Sequence, residues 1–270
     1  MIPKEIQSIF DGVDCPPEIP SKEWRQILKY YYEDAWSLTD RVEAKHWEQI
    51  LDDLQQLRSG TPLAYVTGKS HFYGRVFSVR KGVLIPRPET EELVEWAKNN
   101  LPENSRVLDM GCGSGCIALS LGLERPDLQI SAMDASEIAL EVTRNNAEQW
   151  NLQVNLFKDD MLHPSEFLLQ QSWDAIISNP PYVRPSETSS SILHEPKRAL
   201  FTPEEDPLLY YRSLRDYAER SLSSEGQIFL ELSEFFAKET QYLFEGSAWD
   251  QCTLRSDLQG KLRMLCAKKA

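Results

Sequence analysis

From Ser105 onward, short apolar runs alternate with stretches of helical spacing, and that alternation leaves the chain few folds. Arg106–Met110, Ile130–Met133, Val154–Phe157, Trp173–Ser178 and Gly226–Leu232 read as strands; Gly115–Glu124, Ser136–Trp150 and Leu208–Ser221 read as helices. Strands that take turns with helices build a mostly parallel sheet covered on both faces. Trp173–Ser178 suits such a sheet, because a strand buried on both faces does not alternate apolar with polar residues. Lys261–Ala267 is a last β-run, open to an antiparallel placement.

The first sixty residues have another character. Trp24, Ile27, Leu28, Tyr31 and Ala35 recur at helical spacing within Lys22–Trp36, and Trp47, Ile50, Leu51, Leu54 and Leu57 do so within Asp40–Leu57. Asp40 with Glu43 three residues on marks a helix start. With a short helix near Ile6–Phe10 these make a small bundle, and its aromatic residues serve mostly as core, some as a docking face for a protein partner. Arg58–Pro62 bounds it. His71–Gly74, Arg75–Val79 and Gly82–Pro86 are β-rich runs split by a Lys81-Gly82 turn, the pattern of a hairpin. Pro86-Arg87-Pro88 is extended, since proline keeps its predecessor out of the helical region. A helix from about Glu89 should turn Leu93, Val94 and Ala97 inward. The expected organisation is a helical domain over 1–69, a β-hairpin linker over 70–88 and an α/β domain over 89–270.

Asp109-Met110-Gly111-Cys112-Gly113-Ser114-Gly115 follows a strand and opens a helix. Glycines there permit positive φ and close approach of backbone to a ligand. Alone, such a turn also suits a purely structural role. Two acids narrow the reading. Asp134 ends the next strand 19 residues after Gly115, near the spacing at which an acid bonds ribose hydroxyls in doubly wound folds. Asp109 opens the loop. A dinucleotide site sets GxGxxG to seat a pyrophosphate on the helix N-terminus, whereas the spacing here is GxGxG beside a carboxylate, which would repel a pyrophosphate and suit an ammonium group. S-adenosylmethionine carries an amino-acid moiety, a sulfonium and a ribose but no phosphate, so it fits better than a dinucleotide.

Trp173–Ser178 runs straight into Asn179-Pro180-Pro181-Tyr182. In open α/β sheets ligands bind beyond the carboxyl ends of the strands, so this turn and the glycine loop should meet at one crevice. The bland alternative is a proline-stiffened turn with a packed tyrosine. The chemical reading explains more. A planar amino group, amide or exocyclic base amine, is a poor nucleophile because its lone pair is delocalised. The Asn179 side-chain carbonyl and the Pro180 backbone carbonyl can each accept one of its N–H bonds and aim the nitrogen. The Tyr182 face can pack over the target and favour passing positive charge.

Composition excludes several classes. The 42 acidic against 29 basic residues, a net charge of −13, argue against a chain that wraps nucleic acid, which needs clustered Lys and Arg. Five cysteines (Cys15, Cys112, Cys116, Cys252 and Cys266) form no CxxC pair, which suits reduced thiols in a reducing compartment. His46, His71, His163 and His194 are scattered and offer no second cluster for zinc, so no metal is expected. No apolar run approaches the length of a membrane span. A soluble, cytoplasmic protein is the expectation.

These motifs together resemble the HemK/PrmC release-factor glutamine methyltransferases, from about Leu57 to the C-terminus. Thr61-Pro-Leu-Ala-Tyr-Val-Thr-Gly68 with Phe72-Tyr-Gly74 looks like the family's linker signature, and Val83–Glu91 like the segment before its cofactor domain; DMGCGSG, Asp134 and NPPY match in order and spacing. The resemblance implies a Rossmann-like, seven-stranded methyltransferase domain after a small all-α domain and a β-hairpin linker. It implies methyl transfer from S-adenosylmethionine, leaving S-adenosylhomocysteine, to the glutamine amide in the GGQ motif of bacterial-type peptide release factors, by a monomer. Carried over by position, Gly111, Cys112, Gly113, Ser114 and Gly115 line the methionine part of the donor, Asp109 accompanies them, Asp134 meets the ribose, and Asp160 and Met161 the adenine. Asn179 touches both donor and glutamine, with Pro180, Pro181 and Tyr182 around the substrate. The chain departs from the family where Phe201–Pro207 replaces a glycine-rich stretch and where Ser233 stands for a glycine. Arg87 reads as holding the hairpin segment more than as touching the donor, and Glu204–Asp206 as a solvated loop.

Two other functions compete. An amino-methyltransferase acting on adenine in DNA or RNA shares the NPPY logic, but should carry a basic recognition surface and flip its base. A catalytically inactive methyltransferase-like scaffold would be expected to have lost the glycines or Asn179, and both are present.

Overall fold

A computed structural model describes residues 52, 53, 55–57, 59–187 and 194–270. The helices expected at Ile6–Phe10 and Lys22–Trp36, most of Asp40–Leu57 and the N-terminal aromatic residues lie outside the described residues; residues 52, 53 and 55–57 are helical. The chain divides into two compact units, Met1–Gly68 and Lys69–Ala270. In the first, helix α1 (Leu63–Thr67) starts after Pro62 and ends at Gly68 in the left-handed conformation.

The second unit opens on a hairpin, β1 (Lys69–Phe72) and β2 (Arg75–Ser78). Tyr73 and Gly74 form its turn with φ of 50° and 69°. Positive φ at both central residues matches the right-handed twist of paired strands. The hairpin therefore turns earlier than the expected Lys81-Gly82, and residues 82–86 add no strand. Their polar groups are engaged elsewhere: Val83 N–H closes a turn on Arg80 (3.1 Å), and Ile85 N–H donates to the Glu195 carboxylate (3.0 Å). Asn146 clamps the hairpin to the sheet domain, accepting from Ser78 N–H at 2.8 Å and donating to Ser78 and Ser114 carbonyls.

Helix α2 (Pro88–Asn100) follows, with proline in its first turn and Glu89 and Glu91 at its positive end. Thr90, Leu93, Val94 and Ala97 are its buried residues. The remaining elements are β3 (Arg106–Met110), α3 (Cys116–Glu124), β4 (Gln129–Asp134), α4 (Glu137–Gln149), β5 (Asn155–Lys158), α5 (Glu166–Leu169), β6 (Trp173–Ser178), α6 (Lys197–Leu200), α7 (Leu209–Ser221), β7 (Leu222–Glu231), α8 (Ala237–Leu243), β8 (Trp249–Ser256) and β9 (Leu262–Lys269).

Seven strands form one sheet in the order β5-β4-β3-β6-β7-β9-β8. The first five run parallel, and β9 lies antiparallel between β7 and β8. Successive side chains of a strand serve opposite faces. Val107, Ala175, Ile177 and Phe229 join α2, α3 and α4 in one core. Leu108, Ile176, Ile228 and Leu230 join α7 and α8 in the other. Both faces are covered, which is why WDAIIS shows no alternation. The strand order reverses at β3, between β4 and β6, so the crevice at the carboxyl ends of β3 and β6 is the topological switch point.

Candidate active site

The glycine loop leaves β3 with Gly111, Gly113 and Gly115 at φ of 82°, 58° and 79°. Gly111 and Cys112 N–H groups both donate to the Met133 carbonyl, at 2.8 and 3.0 Å, so the loop is tied to the end of β4. A Cβ on Gly115 would come within 2.7 Å of Thr143 Cγ2, so this glycine admits α4. A Cβ on Gly113 would make one ordinary contact, with Val83 Cγ1 at 3.9 Å, on the side where the loop borders open space.

That space is a cavity of about 320 Å³, within the range of small-molecule sites. Of the residues expected from sequence, Gly111, Cys112, Gly113, Ser114, Asp134, Asp160, Met161, Asn179 and Pro181 line it. Asp109, Gly115, Pro180 and Tyr182 are not on its wall.

Asp134 closes the loop from the side. Its Oδ2 accepts from Gly113 N–H at 3.0 Å and its Oδ1 from Ser136 N–H at 2.8 Å. Burial raises its pKa, opposed by those two amides and by the charge of Arg198. Each carboxylate oxygen has a second lone pair, so hydroxyl groups can still be received. Asp109 stands behind the wall, 1% exposed. Its Oδ2 accepts from Ala118 N–H at 3.1 Å in the first turn of α3, and its Oδ1 has no partner among the described residues. Burial pushes its carboxyl up to about 7, and the charge of Asp134 adds to the shift. An ammonium group in the cavity would meet Asp134 rather than Asp109 at the wall.

β6 delivers the NPPY turn to the same cavity. Ser178 Oγ donates to the Met110 carbonyl at 2.6 Å, pinning the ends of β6 and β3 together. Asn179 Nδ2 donates to Thr90 Oγ1 at 3.1 Å. Among the described residues nothing donates to Asn179 Oδ1 or to the Pro180 carbonyl. Thr90 in turn donates to Glu231 Oε2 at 2.5 Å, and Tyr182 OH donates to Oε1 at 2.9 Å. Glu231 is buried at the end of β7, and burial raises its pKa against the pull of these hydroxyls and of Arg263. Burial also drives the Tyr182 phenol well above its ordinary range, and Glu231 adds to the shift. The stretch 200–202 pairs with Val183 through Val183 N–H to Leu200 and Thr202 N–H to Val183, both at 3.0 Å. This is the shape the unusual Phe201–Pro207 segment takes. Ser233 is not at positive φ, so the position has no need of glycine.

Several wall residues had no assignment from sequence. Val83, Leu84, Pro86, Pro196, Arg198, Ala199 and Tyr210 are among them, and Arg87, which the sequence reads as holding the hairpin segment, joins the wall as well. Arg87 pairs with the buried Glu195, which also accepts from Ile85, so the 83–87 strap is held to the segment after NPPY. Arg198 donates to Asp160 Oδ2 at 2.8 Å across the cavity. The EP..AL pattern at Glu195–Leu200 marked this segment without saying what it faces.

The wall is rich in acceptors, the Gly111, Cys112 and Gly113 amides are already engaged within the protein, and the two wall guanidiniums, Arg87 and Arg198, are each paired to a carboxylate. That donor set fits a ligand with hydroxyls and a cationic centre better than a phosphate. The Cys112 and Cys116 thiols are raised by burial, Cys116 to about 12, which withholds thiolate chemistry. Among the described residues no group of three or more His, Cys, Asp or Glu could hold a metal ion, and no helix is long and apolar enough to cross a membrane.

Residues 88–200 match the family model of the methyltransferase small domain. A release factor glutamine methyltransferase of Flavobacterium psychrophilum is 39% identical over 235 residues, covering 84% of this chain and 81% of that protein. Its counterpart in Streptococcus pneumoniae is 41% identical over 216 residues, covering 77% and 76%. Among solved structures, a T. thermophilus 16S rRNA methyltransferase in complex with AdoMet and guanosine shares the fold at a TM-score of 0.54 and 18% identity, covering 75% of this chain and 50% of that one. Relatives this similar over most of both chains establish kinship: the chain is an S-adenosylmethionine-dependent methyltransferase and belongs to the release factor glutamine methyltransferases.

Proposed function

We propose that this enzyme methylates the side-chain amide nitrogen of the glutamine in the GGQ loop of peptide chain release factors. The observation that carries the reading is the Asn179 amide at the cavity: its nitrogen is held by Thr90, while among the described residues nothing donates to its carbonyl oxygen or to that of the neighbouring Pro180. S-adenosylmethionine, when bound, supplies an electrophilic methyl group on a sulfonium.

The chain's own residues do the rest. Asp134, Asp160, Met161 and the surface of the Gly111–Gly115 loop hold the donor. The two free carbonyls accept the two N–H bonds of the glutamine amide and fix its nitrogen, so orientation supplies much of the rate. Each of these acceptors also becomes a better partner as positive charge develops on that nitrogen. Pro181 and the 83–87 strap exclude water. The nitrogen's proton leaves to solvent once the nitrogen is alkylated, without a strong base.

A glutamine on a flexible tip flanked by glycines suits a narrow slot, because glycine lets the backbone enter closely. Residues 1–69 serve as a docking domain for the body of the factor, the enzyme works as a monomer, and the cytoplasm is where its substrate resides. The test is to incubate enzyme and labelled donor with a release factor, with its GGQ glutamine-to-alanine variant, and with adenine-containing DNA and RNA. Label on the wild-type factor alone supports the reading. Label on nucleic acid, or equal label on the variant factor, overturns it.

A further inference from the structure

We propose that Thr90 and Glu231 are positioning residues that decide which way the Asn179 side chain faces. This rests on the reading of the site given above. Thr90 sits in the first turn of α2 and Glu231 ends β7, 141 residues later, and both are buried. A hydroxyl has one hydrogen to give. Both Glu231 oxygens stand as acceptors, Oε1 for Tyr182 and Oε2 for Thr90, so the Thr90 hydrogen goes to Oε2 at 2.5 Å. Only the lone pairs of Thr90 then remain for Asn179, and these can meet nothing but its Nδ2–H, at 3.1 Å. The carbonyl oxygen of Asn179 must lie on the opposite side.

The need for such a device is physical. A carboxamide is nearly symmetric in shape, and a half-turn exchanges its acceptor for a donor. A flipped Asn179 would face the N–H bonds of a substrate amide with N–H bonds of its own. The chain of donors from Asn179 through Thr90 to a carboxylate gives the flip a direction. The same carboxylate takes Tyr182 OH on its other oxygen at 2.9 Å, so Glu231 holds both the first and the fourth residue of the NPPY turn. A buried carboxylate is costly unless hydrogen-bonded, and these two hydroxyls are its closest donors.

Thr90→Val removes the hydroxyl and keeps the shape; Thr90→Ser returns it. Glu231→Gln keeps the shape but leaves one acceptor oxygen for two hydroxyl donors. Thr90→Val should lower kcat by about tenfold or more, with KM for the factor and donor affinity changing by less than about threefold. Thr90→Ser should recover most of that loss. The second readout needs no substrate: the side-chain NH₂ signals of Asn179, assigned by their loss in Asn179→Ala, should show one hydrogen-bonded proton in the wild type. That proton should move toward its solvent-exposed position in Thr90→Val and in Glu231→Gln. Unchanged Asn179 signals in both variants, or a Thr90→Val enzyme within about twofold of wild-type kcat, would overturn the proposal. If the wild type fails to methylate release factors, the substrate reading falls while the NH₂ signals still decide this one.

Discussion

Asp134 holds Gly113: the carboxylate that ends β4 accepts the Gly113 N–H at 3.0 Å, across 21 residues of chain. The acid read from sequence as a ribose partner shapes the glycine loop itself. Asp134→Ala should weaken donor binding about tenfold or more, since it loses charge-assisted bonds worth roughly 1.5–3 kcal/mol each. Asp134→Asn keeps an acceptor for one amide and should lie between. Calorimetry with S-adenosylmethionine measures both, and unchanged affinity in the alanine variant would remove Asp134 from the site.

Asn179 separates chemistry from folding. Among the described residues its side chain hydrogen-bonds only Thr90, so Asn179→Ala should abolish methylation while shifting the melting temperature by only about 2 °C. Asn179→Asp keeps the acceptor oxygens and the shape and should retain partial activity. Full turnover of a release factor by Asn179→Ala would end the amide-clamp mechanism.

Two glycines of one loop should respond differently to alanine. Gly115 has φ 79° and Thr143 Cγ2 only 2.7 Å from a new Cβ, so strain and collision combine. Gly115→Ala should cost about 2–4 kcal/mol in urea denaturation. Gly113→Ala meets only Val83 Cγ1, at an ordinary contact distance of 3.9 Å, and should cost about 1–2 kcal/mol from φ alone. Its methyl group enters the cavity, so its larger effect should be on donor affinity. Equal stability losses would contradict this geometry.

Asp109 gives the fold a pH signature. Its carboxyl is raised by burial from 3.8 to about 7. A folded pKa above the unfolded one contributes stability that is full below the unfolded value and lost as pH rises through the folded value. Relative to Asp109→Asn, the wild type should therefore lose roughly 2–3 kcal/mol between about pH 5 and about pH 8. Paired urea curves at the two pH values read it, and a constant difference between the two proteins would show that Asp109 does not titrate in this range.

The docking assignment of the N-terminal residues is tested by their removal. Deleting residues 1–57 should raise KM for the whole factor by about tenfold or more while donor affinity stays within about threefold, because remote contacts are lost and the cavity is not. An unchanged KM would place docking elsewhere.

Local pattern made much of the fold legible. Arg106–Met110 and Trp173–Ser178 coincide with β3 and β6 end to end, and α2 buries the three apolar residues its spacing singled out. Periodicity records which face of an element is buried, and that is a property of neighbours in sequence. The β8 strand escaped because WDQCTLRS is a largely exposed edge strand with little apolar content to see. The hairpin turns at Tyr73-Gly74 and not at Lys81-Gly82 because Tyr73 takes the positive φ that local pattern assigns to a glycine-bearing turn.

The site divides along the same line. Sequence alone determined that a glycine loop and an NPPY turn each end a strand, since each motif is contiguous and its chemistry lies in its own residues. It assigned Asp109 to the ligand, and only the tertiary structure put that acid behind the wall, bonded to Ala118. Only the tertiary structure brought Arg198 to Asp160, Glu195 to Arg87, and Thr90 to Glu231 across 141 residues. The reason is that a buried polar group is satisfied by whichever donor the packed elements deliver to it, and that delivery is decided by how β7 and α2 meet, which no local spacing encodes.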